Sequence, residues 1–215
     1  MTSIPLKAEY GPTLGRLLAP RWRSYPRPVR AVIVTAALAF LAILIAAALT
    51  LVNSTYSHAG PVPFSFDYRD LYRVPAAPDE YVQIRAPAHG PLRESFAVGP
   101  LQLPPYSGSL SGELPVYASS YIAALRRLYP GFVLRGEGRT KVNTVPAYDI
   151  AYTRTIAGLT YYGRDILLLP DRLGARLGVR IAMLSTPHAE SQITSPIYLG
   201  TTGVLELPLE TFTIG

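Results

Sequence analysis

Side chains able to carry acid–base, metal or nucleophilic chemistry are few in this sequence and far apart. The three histidines, His58, His89 and His188, form no pair at helical spacing and no HExxH run, so they read as loop and surface residues. Cysteine is absent, which removes disulfides, thiolate zinc sites, iron–sulfur clusters and cysteine nucleophiles. The run Gly108-Ser109-Leu110-Ser111-Gly112 has the outline of a nucleophile elbow, but Leu110 stands where the serine is needed. A proline pair, not a strand, precedes it, so it reads as a loop. The run Gly136-Glu137-Gly138-Arg139-Thr140-Lys141 lacks the spacing of a phosphate loop and reads as a hairpin turn. The acidic pairs Asp67/Asp70 and Asp79/Glu80 lack the alternation of a calcium loop and read as solvated turn residues. No residue is therefore assigned to catalysis, to a cofactor or to a metal. A hydrolase site would have to assemble in space, from His89 or His188 with a serine and a carboxylate.

Two groupings point to binding instead. Arg126, Arg127, Arg135, Arg139 and Lys141 face one acid, Glu137, over a short stretch. If the elements carrying them are adjacent, they form a basic contact patch for anionic lipid headgroups or an acidic partner. Tyr148, Tyr152, Tyr161 and Tyr162 are the second grouping: sheet-face packing is their ordinary role, and lining a ligand groove or an interface is the other.

The elements that must position these residues begin with an apolar run. Residues 31–52, AVIVTAALAFLAILIAAALTLV, contain no charge, and as a helix would span about 33 Å, enough to cross a hydrocarbon core. Residues 1–30 form a basic tail that holds Lys7, Arg16, Arg21, Arg23, Arg27 and Arg30 against Glu9, while the next basic residue after the run is Arg69. Cationic flanks stay on the cytoplasmic side, so the sequence predicts a single-pass protein with its N-terminus inside and its C-terminal domain outside. The tail carries +5 of the net +6, so the basic balance reports topology and gives no reason to expect nucleic acid as a partner. A cleaved leader ending near Ser57-His58-Ala59 is the rival reading, but the apolar run is longer than a leader's core. Overall composition agrees: charged residues make up 16% of the chain and hydrophobic ones 49%, with arginine far in excess of lysine as in a GC-rich bacterial genome.

Beyond the run, residues 53–63 read as a polar linker and 64–215 as one extracytoplasmic domain. Strands are expected over 81–85 and 95–103, with a loop over 104–112. The spacing of Ala118, Tyr121, Ile122, Leu125, Leu128 and Tyr129 predicts an amphipathic helix over 116–129, opened by Pro115 and closed by Pro130-Gly131. The period then becomes two. Tyr148, Ile150, Tyr152 and Ile156 alternate with polar residues over 147–156, Ala157-Gly158 turns the chain into 159–169, and 179–184 returns. Residues 204–214 read as a closing strand or amphipathic element. The sum is an α+β domain, an antiparallel sheet with a helix on one face.

That order of elements resembles the PsbP-like fold. It shows in the extended start Phe64–Pro75, the helix 116–129, the stretch VPAYDIAYTRTIAGLTYYGRDILLLP at 145–170 and the closing GVLELPLETF at 203–212. The resemblance implies an α/β sandwich with an assembly, stability or ligand-presenting role, and it carries no catalytic residue over. The expectation is a membrane-anchored extracytoplasmic binding or accessory domain on a bacterial cytoplasmic membrane. It would be held in the bilayer by residues 31–52 and would meet an envelope protein complex or anionic lipid. An envelope hydrolase and a carrier of an apolar ligand are the alternatives.

Overall fold

A computed structural model describes residues 26–50, 53–105, 110–170, 175–187, 189 and 193–215. The tail over 1–25, the last two positions of the apolar run, Gly108, Ser109 and His188 lie outside the described residues. Two compact units are present, divided after Val52. In the first, helix α1 spans Arg27–Thr50. It is apolar on every side, with Val32, Leu38, Phe40 and Ile43 all exposed, and its stretch Arg27–Leu44 is long and apolar enough to cross a membrane.

The second unit is built on antiparallel strands. Strands β1 (Ser54–His58) and β2 (Phe64–Tyr68) pair with each other, and a short terminal strand β10 (Thr213–Ile214) adds to the other edge of β2. The stretch expected as a linker, 53–63, thus supplies a paired strand. Its polar residues alternate with Tyr56, whose ring packs tilted against Phe64 and Phe66, and His58, which stacks on Phe64 and Tyr81, so a short polar run still had an apolar face to bury.

The larger sheet has seven strands in the order β3-β4-β5-β9-β8-β7-β6. They are β3 (Tyr72–Val74), β4 (Val82–Ala86), β5 (Glu94–Gln102), β6 (Val133–Val142), β7 (Val145–Ile156), β8 (Leu159–Leu168) and β9 (Leu177–Ser185). The expected meander is present as β7 to β9, β6 adds a further strand that was not expected, and β5 docks along β9 to join it to the N-terminal strands. Ala157 and Gly158 both take positive φ (49° and 80°), the geometry of a two-residue hairpin turn whose twist matches its strands.

The Gly136–Lys141 run, expected as a hairpin turn, is the middle of β6. The chain turns later, at Asn143, whose positive φ an asparagine tolerates. Alternating pairing with β7 outweighed the local glycine signal, and the irregularity between Leu134 and Gly136 absorbs the misfit.

Helix α2 runs Leu110–Leu128, six residues earlier than its expected start. Pro115 therefore lies inside it, in the second turn, past the first four positions whose donors lack a partner, and the helix runs on through it without that one backbone bond. Leu114, Ala118, Ile122 and Leu125 form its buried stripe against Tyr148, Ile150, Tyr152 and Leu167. Leu128, expected on that stripe, is 66% exposed because the helix ends there and leaves nothing above it. The other sheet face buries Ile84, Phe96, Val98, Ile166, Ile181 and Met183 under Phe64, Phe66, Leu199, Leu205 and Phe212. The closing residues mix a short helix α3 (Glu206–Glu210) with β10. On this face Arg164 donates two hydrogen bonds to Asp149 (2.9 and 3.0 Å) and one to the Leu199 carbonyl (2.5 Å), clasping the turn Pro196–Tyr198 to the sheet.

Truncating the centre of this packing should weaken the whole domain. Ile181→Ala is expected to cost about 2–5 kcal/mol, read as a lower urea midpoint at unchanged slope. Leu128→Ala is expected to change stability by less than about 0.5 kcal/mol, since its side chain is exposed.

Candidate functional site

Helix α2 does not cover the whole sheet. Beyond its edge, the same sheet face over β4, β5 and β9 carries Gln83, Ser95, Ala97, Arg180 and Ala182, small or polar side chains where the opposite face is large and apolar, with Leu184 at the end of β9. With Asp165, Tyr152 and Arg154 from β8 and β7, Tyr121 and Tyr129 from the helix and its end, and the turn 77–80, these residues line a recess of about 200 Å³.

Asp165 is at its centre and is 2% exposed. The Tyr121 hydroxyl donates to its Oδ2 at 2.5 Å and the Tyr152 hydroxyl to its Oδ1 at 3.2 Å. Burial pushes the Asp165 carboxyl above the usual range, and the Tyr121 hydrogen bond, the Arg180 charge and the Tyr152 hydrogen bond pull it partly back. Burial first, and then the neighbouring carboxylate, raises both phenols, so they stay protonated and donating.

Arg180 donates to Asp79 Oδ2 at 3.1 Å across the recess. Its burial works against the charge, but Tyr121, Asp165 and Asp79 together move its pKa up. Arg154 lies with its guanidinium 4.0 Å over the Tyr129 ring. The Nε atoms of Arg154 and Arg180 are buried without a partner.

Two glycines give this arrangement its room. A Cβ on Gly163 would meet the Tyr152 ring at 2.3 Å, so only glycine lets that ring lie across β8 and bring its hydroxyl to Asp165. A Cβ on Gly99 would meet the Asp79 carbonyl oxygen at 2.4 Å, so glycine there lets the turn rest on β5 beside Arg180. The turn itself is closed by the Glu80 amide donating to the Ala77 carbonyl, and by the Ala77 amide donating to Glu80 Oε2.

The residues singled out from the sequence fall elsewhere for the most part. Arg126 and Arg127 are exposed in the last turn of α2, and Arg135 lies early in β6 near that helix end. Arg139 and Lys141 are exposed toward the far end of β6, with Lys141 about 26 Å along the strand from Val133 by strand rise. The five cations therefore split into two groups. The helix end meets the start of β6 and not the hairpin tip, so the adjacency that a single patch requires is not met.

Of the four tyrosines, Tyr152 lines the recess. Tyr148 is buried under the helix and donates to Glu137, Tyr161 donates to the Leu92 carbonyl, and Tyr162 packs against the opposite core. His89 is exposed in the connection between β4 and β5, and His58 stacks between Phe64 and Tyr81. The sequence reading missed Asp165, Arg180 and Arg154. The available signal was charge inside largely apolar strands: Asp149 and Arg154 in β7, Arg164 and Asp165 in β8, and Arg180 in β9.

No protein-family description matches the sequence, and no characterised protein matches it by sequence. Solved structures do match in shape. The crystal structure of LpqN, involved in cell envelope biogenesis of Mycobacterium tuberculosis, aligns with a TM-score of 0.51 at 12% identity, covering 75% of this chain and 91% of LpqN. The solution structure of cyanobacterial PsbP from Synechocystis sp. PCC 6803 aligns with a TM-score of 0.50 at 11% identity, covering 76% of this chain and 92% of the other. At such identities the likeness is one of fold. The domain has a PsbP-like α+β fold, as its order of elements implied.

The buried carboxyl gives a pH-dependent readout. A folded pKa raised above 3.8 means the Asp165 contribution favours folding at low pH and is lost as pH rises from that value through the folded one. Other carboxylates respond in their own ways, so the difference between proteins isolates this group. Relative to Asp165→Asn, the wild type is expected to lose stability as pH climbs from about 4 toward neutrality, measured as urea midpoints across that range.

Proposed function

We propose that this protein is a membrane-anchored binding or accessory domain working at the outer face of a bacterial cytoplasmic membrane. The observation that carries this reading is helix α1, whose apolar side chains over 31–44 are exposed and which is followed by a separate compact unit. Such a surface is stable in hydrocarbon and costly in water, where each exposed large apolar side chain forgoes about 1.5–3 kcal/mol of burial. The basic residues before it and their absence immediately after it favour a cytoplasmic N-terminus and an external domain. The likeness in fold to an envelope-biogenesis protein of Mycobacterium tuberculosis supports an envelope role. Tethering would hold the recess within reach of the membrane surface and raise its effective concentration for envelope partners.

The absence of cysteine makes sidedness directly measurable. In intact cells, a membrane-impermeant maleimide is expected to label Thr202→Cys, which is exposed on the second unit, and to spare Ser3→Cys until the membrane is opened. Labelling of Ser3→Cys alone would reverse the orientation. Recovery of the domain in the soluble fraction, beginning near Gly60, would replace the anchor with a cleaved leader.

We further propose that the cations at the end of α2 are the part of the basic grouping that meets an anionic surface. Converting both Arg126→Glu and Arg127→Glu is expected to reduce cosedimentation with anionic vesicles severalfold, each cation near such a surface contributing about 1 kcal/mol. Cosedimentation equal to wild type would remove this contact.

A further inference from the structure

We propose that the recess around Asp165 binds a small oxyanion, a carboxylate or a phosphate, with Arg154 as its principal donor and Arg180 at the opposite end. The inference deepens the binding-domain reading by naming the chemistry of a ligand.

Three carboxyl groups and two guanidinium groups line the recess, and of these Arg154 alone lacks a hydrogen-bond or ion-pair partner among the described residues. Asp165 is taken by two phenol donors, Asp79 by Arg180, and one Glu80 oxygen by the Ala77 amide. Arg154 makes no hydrogen bond and no ion pair among the described residues; its guanidinium rests on the Tyr129 ring, and its charge acts on Asp165 from a distance. Its side chain is half-buried, so water cannot satisfy it freely on all sides.

A guanidinium offers five donors and no acceptor, and a desolvated donor left unpaired costs about 1–3 kcal/mol, more when charged. An arginine needed only for solubility would extend outward. This one is held over an aromatic platform, which fixes the direction of its fork before any ligand arrives and reduces the ordering cost of binding. A planar, positively charged set of donors is complementary to carboxylate or phosphate oxygens.

Size limits the choice further. A recess of about 200 Å³ holds the equivalent of several waters, at roughly 30 Å³ each in the liquid, so it suits inorganic phosphate or a short dicarboxylate better than a long chain. Ser95 and Gln83 line the same space with a hydroxyl and an amide able to donate to further ligand oxygens.

Calorimetric titration of the full chain in detergent micelles at low salt tests this, with inorganic phosphate in one arm and succinate in the other. Saturable binding with a Kd of about 1 mM or tighter is expected in at least one arm. Binding of phosphate alone assigns a phosphate ligand, and binding of succinate alone a carboxylate. Arg154→Gln is expected to weaken that binding at least tenfold, while Arg69→Gln, an exposed arginine outside the recess, leaves it unchanged. If Arg154→Gln does not fold, Tyr129→Leu, which removes the platform and keeps the charge, is expected to weaken binding severalfold. No saturable binding in either arm, or binding that survives both Arg154→Gln and Tyr129→Leu, overturns the proposal. Membrane sidedness plays no part in this measurement, so its failure leaves the anchored-domain reading to the labelling experiment.

Discussion

A sheet of seven strands has two faces to cover, and among the described residues one of them has a single long helix to cover it. Seven strands spaced about 4.8 Å apart are about 29 Å across, whereas a helix with its side chains is about 10–12 Å wide. Helix α2 lies on β6, β7 and β8, and there the sheet is apolar: Tyr148, Ile150, Tyr152 and Leu167 close over Leu114, Ala118, Ile122 and Leu125. Past that edge the face cannot remain apolar without exposing a greasy surface, so it turns small and polar at Ser95, Ala97, Arg180 and Ala182. The recess is a consequence of this width mismatch.

The opposite face shows the contrast. There the small sheet of β1, β2 and β10, helix α3 and the turn Pro196–Tyr198 together cover the strands, and the residues between them are Phe64, Phe66, Phe96, Ile181, Met183 and Phe212. One face is sealed by several elements and supplies the stability. The other is half sealed and supplies the site. Asp165 and Arg164 are neighbours in β8 and illustrate the division: the pleat sends Arg164 to the sealed face, where it clasps Asp149 and the Leu199 carbonyl, and Asp165 to the recess.

Catalytic and binding roles of such a recess differ in what they ask of Asp165. Here the carboxyl accepts from two phenols that cannot readily lose their protons, a network that fixes side chains in place. That rigidity, with Tyr129 holding Arg154, fits a prearranged receptor. Its placement on the β-sheet and the helix, and not on mobile loops, gives the donor groups a defined geometry.

Local chemistry alone determined a good part of this molecule. The apolar run specified a helix of membrane length, the three-and-four spacing through Ala118, Ile122 and Leu125 specified α2, and the two-residue period after Tyr148 specified the meander with its turn at Ala157-Gly158. These are periodic signals summed over many residues, so they survive local exceptions. Single-residue signals did not. Glycines in β6 suggested a turn where pairing with β7 imposed a strand, and Pro115 suggested a helix start that extra turns had already passed. The site was illegible for a different reason. Asp165, Arg180, Arg154 and Tyr121 come from three strands and a helix, and what joins them is strand order, above all the docking of β9 between β8 and β5. Register and crossover are settled by long-range packing, and no spacing along the chain records them.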